Sequence, residues 1–365
     1  MKVSVVVPVY NVSAYIGDCL RSVLSQTYQN LEVVLVDDCG TDNSMSVAQE
    51  VLRLYGKTCE VKILRHERNR GLSAARNTGL EHSTGDYVYF LDSDDEITPD
   101  CLERLVRAAE GVMPDMVVGD YEVRNSCAFF PQLKLGDGLL RGHESIVREY
   151  MEENIYVMAW NKLVRKDFLL ERKIFFKERL IHEDCLWSFI CACEAETLAV
   201  VKYPTYIYKV RENSIKSATG QQEDVRSLME VLEGMVDYVS RRGLWDNRYV
   251  YSFLEEEKVR FLNICKSYGW EKELFLLRYY DRLVGMTQVR PFRIFCWSCF
   301  KSKKCIRDAH YFLPSGLRSE FYWKLPYFLL LRSRKNNRFR FYVWFLSAML
   351  KRCFRIPVRL PVLEE

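Results

Sequence analysis

The stretch "LEVVLVDDCGTDNS", residues 31–44, decides the fold. Leu31 to Val36 is a short, largely β-branched apolar run, and polar residues follow it at once, as at the end of a buried strand. Asp37 and Asp38 close the run, and "GTDNS" supplies the turn and cap residues that open a helix. A strand that ends in acids and hands over to a helix is half of a βαβ unit.

Three further runs share this form: "VSVVVPV" (3–9), "VKIL" (61–64) and "YVYFL" (87–91). Helical spacing fills the intervals. Ile16, Cys19, Leu20, Val23 and Leu24 share one face, as do Val47, Val51, Leu52 and Leu54-Tyr55. "NRGLS" reads as a second turn-plus-cap. The alternation predicts an α/β fold with a mostly parallel, right-handed sheet flanked by helices, and "MVVGDYEV" (116–123) adds a strand. Residues 121–220 are less regular, and from about 221 the pattern is helical. The expected division is therefore 1–220, with halves of about 1–120 and 121–220, followed by a helical region over 221–365.

Bulk properties agree with a folded chain. It has 365 residues, 48% hydrophobic and 28% charged, enough for one large domain or two of ordinary size. Met1-Lys2 leads directly into strand-like sequence without a signal-peptide pattern, and the 13 cysteines are scattered. Reduced thiols and a cytoplasmic location are expected. Cys296 and Cys299, with Cys305 nearby, form only a loose zinc pattern.

In a doubly wound sheet, ligands bind beyond the carboxyl ends of the strands. There the first strand brings Pro8, Tyr10 and Asn11, the second Asp37 and Asp38, and the fourth Asp92, Ser93, Asp94 and Asp95. Arg76 and Asn77 open the helix after the third strand on the same edge, where helix N-termini favour anions. Alone, "DSDDE" reads as a turn or cap and "VDD" as an ordinary strand end. Together, carboxylates and an arginine on one edge suit a divalent cation bridging a diphosphate, with Mn²⁺ or Mg²⁺ completing its shell on phosphate oxygens.

"VSVVVPVYN", "VVLVDDCGTDNS", "NRGLSAARNTGL" and "GDYVYFLDSDD" resemble, in order and spacing, the signatures of family 2 glycosyltransferases, which have the GT-A fold. "AWNKL" (159–163), "HED" (182–184) and "YIYKVRENSI" (206–215) resemble that family's acceptor-side motifs. The resemblance implies that Pro8, Tyr10 and Asn11 border the nucleoside. Asp37 and Asp38 would meet the base, favouring uridine, and Arg76 would face the nucleotide. Asp92 and Ser93 would lie at the ribose, and Asp94 would bind the metal. Asp184 would be the general base, with Glu183 as the alternative; a plain helix start with acids at its positive end is the competing reading of that pair. Trp160, Asn161 and Lys162 would lie on the acceptor side, and Arg211 on a loop near the diphosphate. The chain departs from the family at Cys39-Gly40, where Gly-Ser is common, so the glycine is shifted. The signature of processive synthases is absent, which implies single addition. The implied activity is inverting, metal-dependent transfer of a hexose from a UDP-linked donor to a glycan or lipid-linked acceptor in cell-surface polysaccharide biosynthesis. The alternatives are a non-catalytic nucleotide-sugar binder or scaffold and a receiver domain. A dinucleotide oxidoreductase is weaker, because no G-x-G-x-x-G follows the first strand.

The net charge of +4 hides an asymmetry: residues 290–360 carry 17 Lys and Arg against Asp308 and Glu320, whereas residues 1–289 sum to −9. Within 321–356, aromatic residues interleave with basic ones. The longest uncharged stretch, Phe341–Leu350, would be about 15 Å as a helix, short of a hydrocarbon core of roughly 30 Å. This tail suits an anionic membrane surface, making the protein peripheral on the cytoplasmic face. Packing on the catalytic domain or on a second subunit is the alternative, and nucleic acid is not the expected partner.

Overall fold

The computed structural model describes residues 1–55, 59–126, 130–210 and 220–268. The chain divides into two compact units, Met1–Arg241 and Arg242–Glu365. In the first, β1 (Val3–Val9), α1 (Ile16–Leu24), β2 (Leu31–Asp37), α2 (Ser44–Tyr55), β3 (Glu60–Arg65), α3 (Leu72–His82) and β4 (Tyr87–Phe90) follow in strict alternation. Then come β5 (Glu96–Ile97), α4 (Cys101–Ala109), β6 (Met116–Arg124), β7 (Gly138–Arg141) and α5 (His143–Met151). The unit continues with β8 (Lys162–Arg165), α6 (Lys166–Glu171), α7 (Glu183–Glu194), β9 (Thr197–Lys209) and α8 (Gln221–Arg242).

The described strands form one sheet in the order β3-β2-β1-β4-β8-β6-β9-β5, with β7 also paired to β9. The sequence expectation of parallel pairing holds for β3-β2-β1-β4. Beyond β4 the sheet becomes mixed. β8 runs antiparallel to both β4 and β6, and β9 runs parallel to β6 but antiparallel to β5 and β7. All residues of β1 and β2 are buried, as expected of central strands covered on both faces, whereas the edge strand β3 is only partly covered.

Helix faces follow the sequence pattern with one correction. Ile16, Cys19, Leu20, Val23 and Leu24 are all buried on α1. On α2 the buried line runs through Ser44, Ala48 and Val51, so Leu54 falls on the outer side and is 66% exposed. α3 lies close on β1 because its inner face is small: Ala74, Ala75 and Gly79 are buried there. A methyl group at Gly79 would lie 2.2 Å from Val6 Cγ1.

In the second unit the described residues comprise a 3₁₀ turn at Leu244–Asp246 and α9 (Arg248–Ser267). Trp245 is buried and edge-on to Tyr251 at 6.5 Å. The basic-aromatic tail and the Cys296–Cys305 cluster lie outside the described residues. No described helix is long and apolar enough to cross a membrane. No disulfide joins the described cysteines.

Candidate active site

Register alone aligns the strand ends. Val9 pairs with Asp37, Asp37 with Arg65 and Val6 with Phe90, so the residues after each strand meet along one edge. Asn11, in the left-handed region at φ 50°, accepts a 2.8 Å bond from Thr41 N. This contact explains the displaced glycine. A Cβ at Gly40 would sit 3.1 Å from Asn11 Oδ1 and 3.2 Å from its backbone N, while the left-handed position itself, at φ 59°, is taken by Cys39. Tyr10 is exposed.

Asp38 is buried and its carboxylate is already engaged. Oδ1 lies 2.6 Å from His66 Nδ1 and accepts Arg70 N at 2.8 Å, while Oδ2 accepts Gly71 N at 2.8 Å. The far nitrogen of His66 is 2.9 Å from Thr78 Oγ1. Asp38 thus shapes the loop that starts α3, whose N-cap, Gly71, has no side chain to do so. Asp37 accepts Cys39 N at 3.1 Å and lies 3.4 Å from Arg65 Nε.

The acid loop after β4 divides its labour. Asp95 is buried and accepts Tyr206 OH at 2.7 Å and Lys209 N at 2.8 Å, which ties the loop to β9. Burial, reinforced by Asp94 and Asp92, pushes its carboxyl well above the usual range. Ser93 is buried, and Asp92 and Asp94 are half-buried. Among the described residues no group of three or more His, Cys, Asp or Glu is arranged to hold a metal. The hard oxygen donors of Asp92 and Asp94 nevertheless fit Mn²⁺ or Mg²⁺ if a diphosphate supplies the remaining oxygens.

Arg76 does not open onto this surface. It is 2% exposed, and its guanidinium donates to Asp92 Oδ1 at 2.7 Å and to Glu183 Oε1 at 2.6 Å. Burial disfavours its charge, but the two carboxylates outweigh that and raise its proton affinity further. Glu183 opens α7. Burial raises its pKa and Arg76 opposes the rise. Asp184, beside it, is half-buried and makes no hydrogen bond among the described residues. The preceding His182 is left-handed at φ 63°, with Nε2 2.7 Å from Asp224 Oδ1 on α8. Ser227, also on α8, donates to the Ile181 carbonyl.

Trp160, Asn161 and Lys162 lie beneath the site, all buried. Trp160 stacks on Tyr206 at 4.3 Å. Asn161 accepts Tyr89 OH at 3.0 Å and Thr205 Oγ1 at 2.8 Å and donates to the Asp120 carbonyl at 2.7 Å. Lys162 donates to the Tyr156 and Met158 carbonyls, and burial lowers its pKa to about 7. Arg211 lies outside the described residues. His66, Asn77 and Asp95 hold the site in shape; sequence reasoning placed Asn77 and Asp95 on this edge without a specific task and did not single out His66. Their only signal is position, just past a strand end or at the start of a helix on the same edge.

A mixed α/β sheet with acids, a buried arginine and a half-buried carboxylate at one edge defines a GT-A architecture. Residues 4–172 match the model of glycosyl transferase family 2. EpsH of Bacillus subtilis is 33% identical over 222 residues, covering 58% of this chain and 62% of EpsH. Glycosyltransferase GlyA of Streptococcus pneumoniae is 30% identical over 253 residues, covering 66% of this chain and 35% of GlyA. The chain therefore spans less than two thirds of either relative. Among solved structures, S. aureus TarS 1–349 in complex with UDP-GlcNAc shares the fold, with a TM-score of 0.62 and 22% identity over 81% of this chain and 83% of that one.

Proposed function

We propose that this chain is an inverting, metal-dependent glycosyltransferase. It would move a hexose from a UDP-linked donor to a hydroxyl of a glycan or lipid-linked acceptor, by single addition, in cell-surface polysaccharide assembly. One observation carries the assignment of the base. Of the two acids that open α7, Glu183 is hydrogen-bonded to Arg76, whereas Asp184 is half-buried and its carboxylate makes no hydrogen bond among the described residues. Asp184 takes the proton of the acceptor hydroxyl as its oxygen attacks the anomeric carbon. The bond from that carbon to the diphosphate breaks on the opposite side, and the nucleoside diphosphate leaves with the electron pair. A positioned carboxylate contributes about 10²–10⁴-fold to such a step. A divalent cation at Asp94, with Asp92 beside it, would stabilise the charge developing on the diphosphate.

Pro8, Tyr10, Asn11, Asp37 and Asp38 border the nucleoside in this reading, with Asp92 and Ser93 at the ribose. The catalytic region is residues 1–220. The grip of Asp224 and Ser227 on residues 181–182 supports counting the start of α8 with the site. The uridine preference has a parallel in TarS, which binds UDP in its crystal structure. A mannosyltransferase of the same fold, from Pyrobaculum calidifontis, binds GDP-mannose and Mn²⁺.

Calorimetric titration of UDP and GDP, with Mn²⁺ and with chelator, tests the nucleotide site. Mn²⁺-dependent UDP binding that Asp94→Ala abolishes is the expected result; binding of neither nucleotide would overturn the reading. With a donor found among UDP-sugars, Asp184→Asn should lose at least about 10²-fold in turnover while keeping nucleotide affinity. Unchanged turnover would remove Asp184 from the chemistry.

A further inference from the structure

The sequence puts Arg76 and Asn77 on the ligand edge, and the family resemblance turns Arg76 to the nucleotide, but their side chains point to another task. Asn77 pairs in both directions with the backbone of Phe176: its Nδ2 donates to the carbonyl at 2.8 Å and its Oδ1 accepts the N–H at 2.8 Å. One residue earlier on α3, Arg76 holds Glu183 and Asp92 together. The segment between Phe176 and Glu183 is thus fastened to α3 at both ends. The Phe176 ring fills the space beneath. Its centroid lies 5.1 Å from the Arg76 guanidinium carbon, stacks on Trp187 of α7 at 4.8 Å and stands edge-on to Phe90 of β4 at 5.2 Å. On the surface, Arg70 and Glu178 add an exposed pair at 2.8 Å between the same two segments.

We infer that Arg76 and Asn77 are positioning residues that moor the 174–184 segment to α3, fixing the Asp184 carboxylate relative to the Asp92–Asp94 loop rather than contacting the nucleotide. The inference rests on the assignment of Asp184 as the base. The geometry requires both residues. Asn77 fixes the segment's path at Phe176, in the manner of a strand pairing, but does not reach the acids. Arg76 reaches both acids with two donors of one planar fork, a geometry that a lysine ammonium cannot reproduce. The sheet supplies the fixed reference, since Asp92 follows β4 directly and α3 packs on β1 through its small face. A fault in either contact should therefore displace the base without disturbing the nucleotide side.

Hydrogen-exchange mass spectrometry of the full chain tests the mooring directly. In Asn77→Ala and, separately, Arg76→Lys, amides in 174–186 should exchange at least about fivefold faster, because the lost hydrogen bonds hold the segment against local opening. Those of β1 and β2 should keep their protection. Affinity for nucleotide with Mn²⁺ should stay within about threefold of the parent. Turnover of the donor found by the UDP-sugar panel should fall at least about tenfold with its KM unchanged. Asn77→Asp, which keeps the acceptor for Phe176 N–H, should restore part of the protection. Unchanged exchange in 174–186, or faster exchange across the whole sheet, would overturn the mooring. A selective loss of nucleotide affinity in Arg76→Lys would return Arg76 to the nucleotide. Absence of nucleotide binding in the parent would sink the glycosyltransferase reading, while the exchange data would still decide the mooring.

Discussion

Glu32 illustrates how little of a residue's role its sequence neighbours reveal. It sits in the middle of an apolar run, fully buried on β2. Ser4 Oγ and Thr84 N donate to it at 2.6 Å, Thr84 Oγ1 at 2.7 Å, Lys62 Nζ at 3.0 Å and Lys2 Nζ at 3.1 Å. Burial would raise its pKa, but these donors outweigh it and hold the carboxyl well below the usual range. Its stabilising contribution is therefore present above about pH 4.3, the ordinary Glu value, and is lost as pH falls. Glu32→Gln should cost about 2–4 kcal/mol in urea denaturation at neutral pH, and the difference from the parent should shrink in acid. Lys162 behaves in the opposite sense. Its pKa in the fold is about 7 against an ordinary 10.5, so the unfolded chain binds more protons between those values. Its unfavourable effect is therefore relieved as pH rises from 7 towards 10.5. Lys162→Met should flatten that part of the stability–pH profile, as denaturation at pH 7 and pH 9.5 would show.

At the scale of elements, the strands and the acids at their ends were legible because a buried parallel strand is a short apolar run and its carboxyl end is polar. What joins them was not legible. Arg76 is 107 residues from Glu183, and nothing local distinguishes a guanidinium that faces a ligand from one that bridges two carboxylates. Trp160, Asn161 and Lys162 look like surface chemistry by residue type. Asn161 is nevertheless buried, because its amide accepts the side-chain hydroxyls of Tyr89 and Thr205 and donates to the Asp120 backbone carbonyl. The packing of α3 on β1 gives a sharper expectation. The 2.2 Å approach to Val6 leaves no room for a methyl group, so Gly79→Ala should destabilise by about 1–3 kcal/mol despite its better helix propensity. Thermal unfolding would measure it; a neutral or stabilising result would mean that α3 can slide outward on the sheet.

For the whole molecule, the charge asymmetry sets the expectation. The acidic first part of the chain holds the proposed chemistry, and the basic-aromatic tail supplies the proposed attachment to membrane. The full chain should sediment with anionic vesicles at physiological salt, and deletion of 321–365 should release it. Equal sedimentation of both forms, or of neither, would assign the tail to packing or to a second subunit.

The position of β8 has a consequence for how the chain is made. Both neighbours of this strand, β4 and β6, are synthesised before it, and each pairs with it through consecutive residues. On a ribosome adding about 5–20 residues per second, the flank of β4 waits on the order of ten seconds for its partner. Through that interval the aromatic strand Tyr87–Phe90 presents an unsatisfied backbone edge, the template on which wrong pairings form. The step that bridges β4 to β6, with β9 still to follow, thus ends the interval in which the nascent chain is most open to wrong pairing.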